Sequence, residues 1–149
     1  ELHGPALSDG ERWHLLAVGL PADFSGVPDE SGPDVARRAA EAGAYVAIAH
    51  PGWYALTLAD ALTIDAAHAV EIYNHTAHGH NDRGESAYLS DQLLMLGRRH
   101  HTIAVDDAHF STRPDAFGGW LHVKAPALEP DALLAALHAG DFYASQGPE

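Results

Sequence analysis

The chain has 149 residues, 46% of them hydrophobic and 19% charged, which are the proportions of a globular domain long enough to bury a real core. Acidic residues outnumber Lys and Arg 21 to 8, for a formal net charge of −13, which argues against nonspecific binding to nucleic acid or to anionic membranes. There is no cysteine, so disulfides and thiolate metal sites are excluded, and any metal must be held by His, Asp, Glu and water. No apolar stretch approaches the ~20 residues of a membrane span. No signal peptide is visible, so the expected location is the cytoplasm.

In chain order, residues 13–20 (WHLLAVGL) read as a first strand and 21–32 as a Pro/Gly/Asp-rich loop. Ser31 stands as an N-cap with Pro33 in the first turn, so 34–42 reads as a short helix ended by Gly43. The apolar run 44–49 is a second strand, 57–62 a short helix and 69–73 a third strand. The stretch 75–83 (HTAHGHNDR) has no periodicity and reads as a polar loop. The clearest helix is 86–98, with Leu89, Leu93, Leu94 and Leu96 on or near its apolar face and Gly97 weakening its last turn. Strands follow at 102–106 and 119–125, then a helix at 130–139 stopped by Gly140, and a last strand at 141–145. Continuous apolar strands alternating with helices indicate a single α/β domain with a largely parallel sheet. Both ends of the chain read as cut from something longer.

Several strands run straight into metal-type residues. Residues 102–106 lead to Asp107-x-His109, where two side chains two apart on an extended segment point the same way and can reach one ion at ~2.0–2.2 Å. The alternative is a turn-capping Asp beside a surface His. The second strand leads to His50-Pro51-Gly52-Trp53, where Pro and Gly force a turn that holds His50 at the strand end. The alternative there is a His satisfied by a backbone carbonyl. Glu71, Asn74 and His75 close the third strand. Glu71 either orients a ligand or contacts substrate, or forms an ion pair inside the helix–sheet layer, for example with Arg83. Glu1 and His14 make a weaker pair, because His14 lies near the start of its strand. His75, His78 and His80 read together as a His-rich loop. His100 and His101 read as a solvated helix end, and His68, His122 and His138 as structural or exposed. There is no G-x-S-x-G elbow, no Cys nucleophile, no P-loop and no G-x-G-x-x-G.

Taken together, HLLAVGL (14–20), AIAHPGW (47–53), VEIYNH (70–75), AVDDAHF (104–110) and FYASQGP (142–148) resemble the PHP family, named for polymerases and histidinol phosphatases. The resemblance is closest to its bacterial metal-dependent phosphoesterase branch and to the CehA/McbA-like metallohydrolases, and it covers nearly the whole chain. It implies a partial, distorted (β/α)7 PHP-type barrel with two or three divalent ions (manganese, iron or zinc) at the C-terminal rim. By the same resemblance, Glu1, His14, His50, Asp107 and His109 are metal ligands. Asp107, His109 and His50 carry the chemistry, and Asn74, His75 and Glu71 bind substrate. The family's opening H-x-H and the D-H after it are absent, so residues 1–149 look like the C-terminal two-thirds of one PHP-like domain.

The function expected from this is a metal-dependent hydrolase, a phosphoesterase using a metal-activated water on a small-molecule phosphoester. Two alternatives remain: hydrolysis of carboxylic ester, carbamate or amide bonds, and a non-catalytic truncated domain with an incomplete metal site. No nucleic-acid or membrane partner is expected. A cut barrel exposes sheet edges, through which a homo-oligomer is expected.

Overall fold

The computed structural model describes residues 2–7, 12–110 and 115–147, with only the backbone described at 3–6. Five strands lie side by side in chain order: β1 (Leu2–Ala6), β2 (Arg12–Val18), β3 (Tyr45–Ile48), β4 (Ala69–Asn74) and β5 (His101–Val105). The β3, β4 and β5 strands are mutually parallel. β2 runs antiparallel to both β1 and β3, so four of the five strands point the same way. The class is α/β, with mixed helices and strands. Two further strands, β6 (Trp120–Val123) and β7 (Phe142–Ser145), form their own antiparallel pair and contact β5.

The reversal of β2 departs from the simple alternation expected of strand and helix. β2 ends at the side of the sheet where β3 begins. The loop over 19–31 therefore climbs the length of the sheet before helix α1 (Gly32–Glu41) runs back. α1 starts as its sequence indicates: the Ser31 hydroxyl accepts the amide of Asp34 at 3.2 Å, with Pro33 in the first turn. The remaining helices are α2 (Leu58–Thr63), α3 (His75–Asn81), α4 (Ala87–Met95) and α5 (Pro130–Ala139).

Three elements differ from expectation: β1, which precedes the run read as the first strand, α3 and α4. The stretch taken for a polar loop is α3, capped by Asn74, whose side chain accepts the amide of Ala77 at 2.8 Å. Only Ala77 of this helix is buried, so it has no apolar stripe to betray it. α4 is shorter than expected and stops at Met95, because Gly97 turns left-handed at φ 83°. Past it, His100 and His101 are not a solvated helix end. His100 Nε2 lies 2.8 Å from the Ser90 hydroxyl, and His101 opens β5 with Nδ1 2.9 Å from the Tyr45 hydroxyl.

Both faces of the five-stranded sheet are covered, which is why β3 is buried along its whole length. Val46 and Ile48 point to one face, where Leu15 and Val70 meet Val35, Ala36 and Ala39 of α1, Ala61 of α2 and Leu89 and Leu93 of α4. Tyr45 and Ala47 point to the other, where Ile103 packs with Leu137 of α5 and with Leu121, Val123 and Phe142 of the β6–β7 pair. Among the described residues, no helix is long and apolar enough to cross a membrane.

Leu15 is fully buried in the larger core, whereas Leu62 on α2 is exposed. Urea denaturation should show Leu15→Ala less stable by about 2–5 kcal/mol. Leu62→Ala should stay within about 0.5 kcal/mol of the parent.

Candidate functional site

The parallel strands β3, β4 and β5 end at one rim, and the reversed β2 begins there. The carbonyl of His14 accepts the amide of Ala49 at 3.2 Å, fastening the start of β2 to the end of β3. His14 thus stands beside His50, with ring centres 4.9 Å apart at 65°. A cleft of about 170 Å³ opens at this rim, lined by His14, His50, Trp53, Thr76, Asp107 and His109. Four of the five ligands expected from the sequence therefore converge on one cavity, from positions up to 95 residues apart (109 − 14). The fifth, Glu1, lies outside the described residues.

The two turns that present these groups are strained. His50 has φ 24° and Asp107 φ 53°, both on the left-handed side that non-glycine residues avoid at a cost of ~1–3 kcal/mol. Such conformations persist only where the surroundings over-determine them. The His50 amide donates to Glu71 Oε2 at 2.7 Å, and its carbonyl accepts the amide of Trp53 at 2.9 Å. The Gly52 amide donates to the Ser86 hydroxyl at 2.9 Å. A side chain at Gly52 has no room, since a Cβ there would sit 2.7 Å from the Arg83 carbonyl oxygen. At the other turn, the Thr76 hydroxyl donates to the Asp107 carbonyl at 2.9 Å, and Asn74 Nδ2 donates to Asp107 Oδ2 at 3.3 Å. The His109 amide donates to Asp115 Oδ2 at 2.8 Å.

Asp106 faces away from the cleft. Its carboxylate accepts the amides of Phe117, Gly118 and Gly119 at 2.6, 2.7 and 2.9 Å. Burial opposes its charge most strongly, but these amides and the nearby His75 outweigh it and hold its pKa below the ordinary carboxylate value.

The residues expected to touch substrate are placed differently. Glu71 and Asn74 are 4% and 1% exposed and lie behind the cleft rather than in its lining. His75 is also outside the lining: its Nδ1 lies 3.1 Å from the Tyr73 hydroxyl, and its ring packs on Gly118. Arg83 does not serve as the cation suggested for Glu71 in any contact seen here; its guanidinium reaches the Trp53 carbonyl at 3.4 Å. Thr76 lines the cleft without having stood out in the sequence, and Asp106 and Asp115 emerge as loop anchors. Only the Asp-Asp doublet at 106–107 hinted at either anchor. Nothing in the spacing of Asp115 does so.

The donor set of imidazoles and a carboxylate suits zinc, manganese or iron. Two imidazoles bound to one ion at ~2.0–2.1 Å hold their ring centres roughly 5 Å apart, which is the spacing of His14 and His50. Among the described residues, however, no three His, Asp or Glu side chains form a group that could hold an ion. The residue types of the cleft are those of a metal site, and its described part does not close one. No protein-family model, no curated protein and no solved structure matches the chain.

The depressed pKa of Asp106 gives stability that is present above the unfolded carboxylate value of about 3.9 and lost as pH falls through the folded value. At pH 7, Asp106→Asn should cost roughly 1.5–3 kcal/mol in urea unfolding, because an amide cannot accept all three N–H groups as a carboxylate does. Repeated at pH 3, the gap between parent and variant should narrow.

Proposed function

We propose that the chain belongs to a PHP-like metal-dependent hydrolase, a phosphoesterase on a distorted (β/α)7 barrel. One observation carries this reading: His14, His50, Asp107 and His109 come from three strand ends to line one cleft, with His50 and Asp107 in strained turns. Strained backbone at both presenting turns supports the reading, since such conformations cluster at functional sites.

In this reading His14, His50, Asp107 and His109 would hold the ions, together with Glu1. The bound ions supply a nucleophile from water at neutral pH and neutralise charge developing on the phosphoryl group. The chain's own side chains do the rest. Asp107 brings the one carboxylate of the described lining, held at Oδ2 by Asn74. His109 lines the cleft with a side chain 61% exposed. Trp53 walls part of it. Among the described residues the lining holds no Lys or Arg, so there the charge of a phosphoester would meet a cation only in a metal.

A second reading is favoured by the absence of a three-residue ligand group among the described residues: a non-catalytic domain whose metal site is incomplete. One experiment separates them. The protein is dialysed against manganese, zinc or iron(II), analysed for bound metal, and assayed on aryl phosphates and aryl esters in parallel. The phosphoesterase reading expects metal-stimulated release from the phosphates. Asp107→Ala and His109→Ala should each lower it by more than about 100-fold, since even residues that merely support ligands are worth 10–100-fold. Preference for the esters would replace the phosphoesterase assignment. No uptake and no turnover would favour the incomplete domain.

A further inference from the structure

We infer that Glu71 is a positioning residue that couples the two halves of the cleft, fixing His50 and Asp107 relative to one another. The inference rests on the reading of this cleft as the working site, although its first test needs neither metal nor substrate. Glu71 stands on β4, the strand between those that deliver the two residues. A single oxygen, Oε2, accepts the His50 amide at 2.7 Å and Asn74 Nδ2 at 3.1 Å. The same Asn74 nitrogen donates to Asp107 Oδ2 at 3.3 Å. Asn74 cannot swing away to follow either partner, because its own oxygen accepts the Ala77 amide at 2.8 Å as the cap of α3.

The chain of contacts therefore runs from the backbone of one strained turn, through a buried carboxylate and a buried amide, to the side chain of the other. Both intermediates are nearly inaccessible to solvent, so neither meets substrate. Buried networks of this kind define a single geometry when fully bonded. Rim groups that must share a ligand need that definition, because misplacement by about 1 Å is enough to lose most of a site's effect. What the contacts demand of residue 71 is an acceptor oxygen at one point, not a negative charge. A carboxamide can supply that oxygen, whereas a residue acting as a charged ligand or substrate contact cannot be so replaced.

The test compares Glu71→Gln and Glu71→Leu with the parent, first by two-dimensional amide NMR without metal. Glu71→Gln should keep the amide resonances of His50 and Asp107 near their parental positions, and Glu71→Leu should displace both together. If Leu shifts only His50, the two turns are not coupled and the inference fails. It fails equally if Gln displaces both as far as Leu does. Asn74→Asp covers the case in which Leu does not fold: it keeps the oxygen that caps α3 but removes the donor. It should move the Asp107 resonance, and an unchanged Asp107 would overturn the coupling.

Cobalt(II) uptake, read from its visible absorption, gives the second measurement. Glu71→Leu should weaken it about 10–100-fold and Glu71→Gln far less. Equal weakening by both would make Glu71 a charged ligand and overturn the positioning role. A parent protein that takes up no cobalt(II) would sink the metal reading of the cleft, while the amide comparison still decides the coupling.

Discussion

The direction of β2 is the constraint from which the rest of the site follows. Were β2 parallel to β3, its start would lie at the far end of the sheet and His14 with it. Running antiparallel, it pairs Leu15 with Ile48 and brings its first residues to the rim where β3, β4 and β5 end. The bond from the Ala49 amide to the His14 carbonyl then sets the two imidazoles side by side. The long climb over 19–31 is the chain's cost for this reversal. It is secured by α1, whose Arg38 guanidinium holds Glu30 at 2.7 Å and the Ser25 carbonyl at 2.9 Å while covering the Phe24 ring.

With both faces of the sheet filled by apolar side chains, the rim is where functional groups can stand, and there the backbone must turn sharply. Three carboxylates hold those turns, and each does so by accepting main-chain amides. Glu71 takes His50, Asp106 takes 117–119, and Asp115 takes His109. This use of acidic residues accords with a chain carrying 21 of them against 8 Lys and Arg. Amides accepted in this way favour the charged forms of Asp106 and Asp115. Among the described residues of the lining, the imidazoles and one carboxylate are thereby left facing the cleft, with no Lys or Arg beside them.

The opposite end of the sheet also carries histidines, yet of a different kind. His68 Nδ1 accepts the Val46 amide at 3.0 Å, and its ring stacks on Tyr45. His138 Nε2 lies 3.2 Å from the Gly43 carbonyl, and His101 meets the Tyr45 hydroxyl. Burial foremost, and then His138 and His101, keep the His68 pKa below its ordinary value. The two ends of one sheet thus divide the histidines between packing and the candidate site.

The α/β class, most strand cores, the Ser31 cap and the residues at the strand ends were legible in the sequence, because each depends on local pattern: apolar runs, a capping hydroxyl, a turn forced by Pro and Gly. α3 was not legible, since a helix held by one cap and one buried alanine leaves no periodicity. The placement of Glu71, Asn74 and His75 outside the cleft lining was not legible either, because polarity at a strand end does not tell whether a side chain opens to the cleft or turns beneath it. By itself the sequence determined which residue types reach the rim. Only the tertiary structure decided which of them meet, because strand direction, the burial of Glu71 and Asn74, and the turns at His50 and Asp107 are set by contacts between segments far apart in the chain.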